Sequence, residues 1–439
     1  TITYAWYVND EGTPRASGAD QSTFHLVLDT VGTTTVRLVA TDASSGRTAE
    51  WTRVFTVSPK TLYVVKGNAG AAAPYGTWAK AAADIAAAVS AAVAGAEVVV
   101  SNETYAPATT LKIDKPITVR GATGNFGDVV ITGSGQRLVV HLANTGAVLS
   151  GVTVRDGAKG DYTGGIWVDG GGCVTNCRVT ACSMNSWRSG YGYGGCAIQN
   201  TDGTVVDTVI DGIRYDGWVS GMGLGITGDR ALVDRCVITN VAHTGGAKYY
   251  VGAAVYIDSG TLRNSLIAWN RNESKDETSL DAMGVHVGGG MLESCTVVQN
   301  LALHTNSIGA IAGVYCGANG RVRNCLIADN GCITNGASVT TFDPVNDCNG
   351  TLANYSFCCT STELAGEGNV AFQAGAYTWN DEKKRLGLPT RSVCIGAGAN
   401  QEWMRGATDL HGSKRVFGTR IDIGCLECQR SAGSVISIR

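Results

Sequence analysis

One short phrase recurs through the middle of the chain at nearly constant spacing, and it limits the possible folds more than any other feature. It reads VLSGVT (148–153), VTNCRV (174–179), VVDTVI (205–210), VDRCVI (233–238), LRNSLI (262–267), LESCTV (292–297) and VRNCLI (322–327). Its fourth position falls at Gly151, Cys177, Thr208, Cys236, Ser265, Cys295 and Cys325, in steps of 26, 31, 28, 29, 30 and 30 residues. LANYSF (352–357) reads as an eighth copy, with Tyr355 another 30 residues on. A fixed period of this size means stacked units that cannot bury their apolar sides singly.

The letters say what the unit is. Each phrase alternates Val, Ile and Leu with small or polar residues, which suits a pleated, half-buried strand. A second apolar run precedes each phrase, as in GIWVDGG (165–171), AVYIDSG (254–260) and GVHVGGG (284–290). Two or three short strands per 30 residues, with almost no helix, predict an all-β, right-handed parallel β-helix solenoid of about 30 residues per coil. Leucine ladders and repeat helices are missing, as are the hairpin turns of a propeller. Two columns are expected to support the stack. Asn240, Asn270, Asn300 and Asn330 would turn a corner in the left-handed conformation and bond between coils. The Cys/Thr/Ser column would be its inward counterpart.

Composition agrees. Gly is 59 of 439 residues and Pro only 7, which fits many tight corners. Net charge is −3 with 16% charged residues, so no basic footprint argues for nucleic acid. No apolar run is long enough for a transmembrane segment. All fifteen cysteines lie at or after Cys173, many off the column, and an oxidising compartment with disulfides is the preferred reading. Cys425-Leu-Glu-Cys428 has zinc-like spacing without a second pair, so no metal is assigned to it.

Residues 1–59 read as four or five strands of a partial β-sandwich, similar to an immunoglobulin-like or PKD-like module. GTWAKAAADIAAAVSAAVAGAE (76–97) carries Trp78, Ile85 and Val89 at helical spacing, predicting a capping helix over 76–95 that covers the open end of the first coil. Residues 60–375 are then the β-helix and 376–439 its closing segment.

The stretch YVVKGNAG…GTWAKAAADIAAAVSAAVAGAEVVVSNETYAP resembles the opening of secreted bacterial right-handed parallel β-helix proteins, the pectin-lyase-like group. SVCIGAGAN (392–400) with ATDLHGSKRVFGTRIDIGCLE (407–427) resembles the "choice-of-anchor"-type closing motif of such proteins. Asp409, Leu410, Gly412, Arg415, Asp422, Ile423, Gly424 and Glu427 match it; Gly396 stands where the group usually has Asp, and Cys425-Leu426 replaces Ala-Tyr. The resemblance implies the fold and an extracellular or cell-surface bacterial setting, with attachment through flanking regions. It leaves activity open, since the group holds lyases, hydrolases and adhesins. Cys394 and Cys425 both fall in the closing motif and are candidates to pair.

Chemistry is expected in the loops that follow each phrase, which occupy one side of the coil. Trp187, Tyr191, Tyr193, Tyr215, Trp218, Tyr249 and Tyr250 lie in three of them, beside Arg188, Arg214 and Lys248. Exposed aromatics stack on sugar faces and the cations would hold carboxylates; packing of the loops onto the solenoid is the competing role. A stripe on the preceding strands, Trp167, Ile198, Ile226, Tyr256, His286 and Tyr315, would form a groove wall. A binding scaffold or adhesin for an extracellular polysaccharide or glycan is the first expectation. A polysaccharide lyase or glycosidase is the alternative, with Lys248, Tyr249, His243, Arg214 and Asp216 as candidates, and a surface-filament subunit is a third. No cofactor is expected; Asp276, Glu277 and Asp281 would be the ligands of any Ca²⁺.

Overall fold

The computed structural model describes residues 1–135, 137–158, 163–183, 195–215, 219–244, 251–272, 283–304, 311–334, 340–341, 347–380 and 385–429. The chain divides into two compact units, Thr1–Val99 and Val100–Arg439.

In the second unit each coil contributes one short strand to each of three parallel sheets, at about 29 residues per turn. The first sheet carries the opening of each phrase and runs from Thr118–Gly121 to Tyr355–Ser356. The second carries the end of the phrase, from Glu103–Tyr105 to Val370–Ala371, and the third lies just before the next phrase, from Leu111–Ile113 to Cys348–Gly350. This is the parallel β-helix that the period predicts. The inward positions, such as Leu149, Val174, Val205, Val233 and Leu262 of the first sheet, are completely buried. Each such aliphatic side chain contributes roughly 1.5–3 kcal/mol by its removal from water.

The corner between the first and second sheets is turned by a single left-handed residue: Gly151, Asn176, Asp207, Arg235, Asn264, Ser294, Asn324 and Phe357 all have φ between +47° and +63°. The residue after it enters the core, giving the column Cys177, Thr208, Cys236, Ser265, Cys295, Cys325 and Cys358. These side chains cap the strand before them: Cys177 Sγ donates to Thr175 O at 3.2 Å, Cys295 Sγ to Glu293 O at 3.3 Å and Cys325 Sγ to Arg323 O at 3.1 Å. The eighth copy is therefore YSFCCT (355–360), not LANYSF, because Val322 pairs with Tyr355. A 3₁₀ turn at Leu352–Asn354 lengthens that coil.

The cysteines differ from the expectation of disulfides. Every cysteine described with its side chain is a free thiol. Burial pushes Cys177, Cys182, Cys236 and Cys425 up to about 12, so they act as small hydrophobic residues. Cys394 meets Cys359 of the second sheet rather than Cys425.

The asparagine column is half as expected. Asn270, Asn300 and Asn330 are buried and their amides run in a ladder: Asn270 Nδ2 to Asn300 Oδ1 and Asn300 Nδ2 to Asn330 Oδ1, each at 2.9 Å. The left-handed residue is the one before each, Trp269, Gln299 and Asp329. Asn240 aligns with Trp269 and is itself left-handed, so Val241 occupies the ladder position and its N–H donates to Asn270 Oδ1 at 3.0 Å.

The ladder ends on Asp347, whose Oδ1 accepts from Asn330 Nδ2 at 2.9 Å and Asn330 N at 3.1 Å. Asp347 is only 2% exposed, and burial raises its carboxyl to about 7. A folded-state value above the unfolded one means that stability is greatest below the unfolded value and falls as pH rises through the folded one. From about pH 4 to pH 7 the loss is up to ~4 kcal/mol, and Glu427, also raised to about 7 by burial, adds in the same direction. Urea unfolding at pH 5 and pH 8 should show a lower midpoint at pH 8. Asp347→Asn, which keeps the acceptor and continues the amide ladder, should shrink that difference.

The closing segment folds back over the outer face of the second sheet. Leu266, Ala268, Val298, Leu326, Ala328 and Cys359 point outward there and pack with Ala376, Leu386, Cys394, Ile423, Cys425 and Leu426 in a second core. Gly424 N donates to Asn324 O at 2.8 Å, Cys425 N to Thr296 Oγ1 at 3.1 Å, and Tyr377 Oη bonds Asp329 at 2.6 Å. On the first sheet, Arg263 ion-pairs with Asp234 at 3.0 Å and lies over the Trp403 ring, whose Nε1 donates to Glu293 at 2.8 Å. The outer faces of the first and second sheets are thus occupied along these coils. That of the third sheet is not part of this core.

The first unit holds a four-stranded antiparallel sheet formed by Ile2–Val8, Ala16–Gly18, Gly32–Asp42 and Thr48–Val57. Val8 and Val36 are buried, while Trp51 and Val54 on the last strand are exposed. No second sheet facing it is found among the described residues. The helix is shorter than the expected 76–95: a 3₁₀ turn at Trp78–Lys80 and a helix at Ile85–Ala91. Between them Ala82 bridges to Val64 as a strand, and Asp84 then caps the helix by accepting from Ala87 N at 2.8 Å. Alanine content favours helix throughout, and strand pairing overrides it at 81–83.

Candidate functional site

Most third-sheet strands read apolar–X–apolar, as in Leu111-Lys112-Ile113, Val140-His141-Leu142, Ile166-Trp167-Val168 and Val285-His286-Val287. The flanking residues point into the core and X points outward. Strand register sets the X residues in one continuous row: Lys112, His141, Trp167, Gln199, Gly225, Tyr256, His286, Tyr315 and Asn349. At ~4.8 Å per strand the row is roughly 38 Å long and parallel to the solenoid axis. The expected stripe is corrected at two places, because Ile198 and Ile226 are wholly buried and the row residues there are Gln199 and Gly225.

The rings stack on one another. His141 and Trp167 are nearly parallel, 6° apart with centroids at 4.4 Å; Tyr256–His286 and His286–Tyr315 are tilted at 4.9 and 4.8 Å. The faces shared in this way are closed to a sugar. What the row presents instead is ring edges, hydroxyls and N–H groups. Trp167 Nε1 donates to Thr201 Oγ1 at 3.1 Å and Gln199 Nε2 to Thr227 Oγ1 at 2.8 Å. Gln199 Oε1 is buried without a hydrogen-bond partner, next to the position where Gly225 contributes no side chain.

One end of the row gathers titratable groups. Lys112 and His141 are neighbours in register, and His141 Nε2 lies 3.5 Å from Asp169 Oδ2, longer than a good hydrogen bond. Burial holds His141 below the usual imidazole value although Asp169 opposes the shift, so the ring is neutral near pH 7. Lys112, His141, Gln199 and Asp169 were absent from the candidates drawn from sequence. The LKI and VHL triplets carry the same apolar–X–apolar signal and would have extended the stripe upstream.

Beside the third sheet stands a narrow flanking sheet built from Arg214–Tyr215, Ala242–His243, Arg271–Asn272, Leu301–His304, Gly331–Thr334 and Thr340–Thr341. It lies in the connections between second and third sheets, the side of the coil where function was expected. Arg214 is exposed on it, whereas Tyr215 and His243, neighbours in register, are buried, His243 completely. Trp167, Tyr256 and His286 stand in the row. Trp187, Arg188, Tyr191, Tyr193, Asp216, Trp218, Lys248, Tyr249, Tyr250, Asp276, Glu277 and Asp281 lie outside the described residues. Among the described residues no group of three or more His, Cys, Asp or Glu could hold a metal ion.

No family model matches the chain, and no curated protein does. Among solved structures it is similar to pectate lyase Pel9A, at 15% identity and a TM-score of 0.51 over 84% of this chain and 97% of that one. A pectin methylesterase from Aspergillus niger matches at 13% identity and a TM-score of 0.31, covering 73% of this chain and 92% of that one. A PL6 family alginate lyase matches at 12% and 0.25, covering 75% and 55%. The first of these shares the fold, an all-β parallel β-helix.

Proposed function

We propose that the outer row of the third sheet binds an extended polysaccharide chain lying along the solenoid axis, outside the cell. The observation that carries the reading is the register: nine successive strands present one outward residue each, and most of these offer a hydrogen-bonding edge. A polymer of repeating hydroxylated units meets a surface repeating at a similar interval. Hydrogen bonds of about 0.5–1.5 kcal/mol each then accumulate along it. The binding scaffold or adhesin is this reading in its simplest form.

A second reading is favoured by the cluster at the row's end and by the likeness in fold to a pectate lyase. On a uronic-acid polymer, Lys112 would receive the sugar carboxylate and neutral His141, oriented by Asp169, would take the proton from C5. The C–H electron pair forms the C4–C5 double bond, and the C4–O bond breaks with its pair left on oxygen, which takes a proton from solvent. Each step needs only these groups and water.

One experiment separates the two. The protein is incubated with neutral and uronic-acid polysaccharides, binding is read by affinity electrophoresis, and unsaturated ends are read by ultraviolet absorbance. The scaffold reading expects retarded migration without new absorbance. The lyase reading expects absorbance that falls by about 10²–10⁴-fold in His141→Ala while migration stays retarded. Absence of retardation on every polymer would defeat both.

A further inference from the structure

A cavity of about 700 Å³ opens in the closing segment, and none of its lining residues belongs to the third sheet. One wall is a hairpin of Thr378–Asn380 and Arg385–Gly387, with Asn380 opposite Arg385 and Thr378 opposite Gly387. The facing wall comes from the Asp409–Ser413 turn and from 426–429. Leu386 and Leu426, both nearly buried, make an apolar floor with Leu388 and Pro389. Gly387 keeps the space open, since a Cβ there would come within 2.6 Å of Thr378 Oγ1.

The charge in this cavity is arranged in an unusual way. Arg385 Nε donates to His411 Nδ1 at 3.1 Å. An imidazole that accepts through Nδ1 is neutral, and burial together with Arg385 holds His411 below its usual value. The guanidinium is therefore fixed by its Nε, while its two terminal nitrogens have no partner among the described residues. The two carboxylates that line the cavity are committed elsewhere. Asp409 accepts from the N–H groups of His411, Ser413 and Glu427 at 2.9, 2.8 and 2.9 Å. Glu427 accepts from Phe417 N at 3.2 Å and Asp422 N at 3.0 Å, and faces Arg415 at 3.7 Å. That leaves a pre-oriented fork of N–H donors, an apolar floor, and the hydroxyls of Thr378, Thr390 and Ser413 around it.

We propose that this cavity is a second binding site, taking the carboxylate of a small sugar acid of mono- or disaccharide size. The fork matches a planar carboxylate bidentately. The apolar floor suits the C–H face of a sugar ring and the hydroxyls suit its rim. Asp409 and Glu427 line the cavity with the single guanidinium, and a dianion would add repulsion from them, so inorganic phosphate is the weaker ligand. The site is independent of the third-sheet row and stands whether or not the row binds a polymer.

The test is saturation-transfer NMR and calorimetric titration of the full chain with galacturonate, galactose and inorganic phosphate. Galacturonate is expected to bind, galactose and phosphate at least about tenfold more weakly. Arg385→Gln should lose galacturonate binding by about tenfold or more, and Arg385→Lys by several-fold because it keeps the charge and loses the fork. Arg385 is exposed, so both variants should melt like the parent. The Tyr256→Ala/His286→Ala row variant should bind galacturonate as the parent does. Equal binding of galactose, tighter binding of phosphate, an unchanged titration in Arg385→Gln, or loss confined to the row variant would each overturn the proposal.

Discussion

Asn300→Ala is expected to lower the stability of the β-helix by about 3–5 kcal/mol, because one side chain serves four hydrogen bonds in a site closed to water. Asn300 Oδ1 accepts from Asn270 N at 3.1 Å and Asn270 Nδ2 at 2.9 Å, and Asn300 Nδ2 donates to Ile267 O at 3.1 Å and Asn330 Oδ1 at 2.9 Å. Its own N–H also donates to Asn330 Oδ1 at 3.1 Å, which fixes Asn330 from a second side. Truncation leaves the Asn270 amide, its backbone N–H and the Ile267 carbonyl facing a small void. Buried groups left unpaired cost about 1–3 kcal/mol each, of which local relaxation recovers part. In a solenoid such a loss is borne first by neighbouring coils. Urea unfolding should therefore show the coils from 270 to 350 melting early, with a broadened or split transition. Asn240→Ala is the internal control. Asn240 is exposed at a corner, and its replacement should cost no more than about 1 kcal/mol, the price of a left-handed residue with a Cβ.

Arg415→Met is expected to release the closing segment at a similar cost, about 3–5 kcal/mol. Arg415 is the bulkiest fully buried side chain described. Its guanidinium donates to Asp422 O at 3.0 Å, Gly424 O at 2.8 Å and Leu426 O at 3.2 Å, and so gathers the strand-like run that seals the second-sheet face. Methionine fills much of the volume but leaves three carbonyls without donors and Glu427 without its cation. The second core should then open, uncovering Leu266, Leu326 and Cys359. Limited proteolysis ought to cut between 372 and 429 while the coils before 350 resist, and dye binding to apolar surface should rise. Glu427→Gln in the Arg415→Met background should recover part of the loss, since it removes a carboxyl that burial already disfavours.

Much of this architecture was legible. Val, Ile and Leu at alternate positions of a repeated phrase could be read as strands of a parallel solenoid, and Asp409, Arg415, Asp422 and Glu427 could be read as a closing motif. They are the groups that bond one another there. What escaped was decided by register and by partners distant in sequence. Ile198 and Ile226 belong inside: in CAIQN the polar Asn200 is buried beyond Gln199, in GLGI the X position is Gly225 with no side chain to mark it, and a one-residue slip exchanges the faces of a strand. Tyr355 was set three positions from its register by an inserted 3₁₀ turn. The covering of the second sheet by 372–429 could not be foreseen, because outward Leu266 and Leu326 look the same in sequence whether they meet solvent or a returning chain. The cysteines misled through composition: thiols in an inward column serve the stack as Ser265 and Thr208 do, without an oxidising compartment. For the site, the row was visible from Trp167 onward, while its titratable end at Lys112 and His141 preceded the repeat that drew the reading.

If the third-sheet row binds a polymer along its length, affinity depends on oligomer size. Affinity for a series of oligosaccharides of increasing length, drawn from whichever polysaccharide is retained, tests it most directly. Affinity should rise with each added sugar until the row is covered. In Tyr256→Ala/His286→Ala it should fall by about 10–100-fold for the long oligomers, the sum of two or more hydrogen bonds. Affinity that does not change beyond a disaccharide, or that is equal in parent and variant at every length, would contradict it.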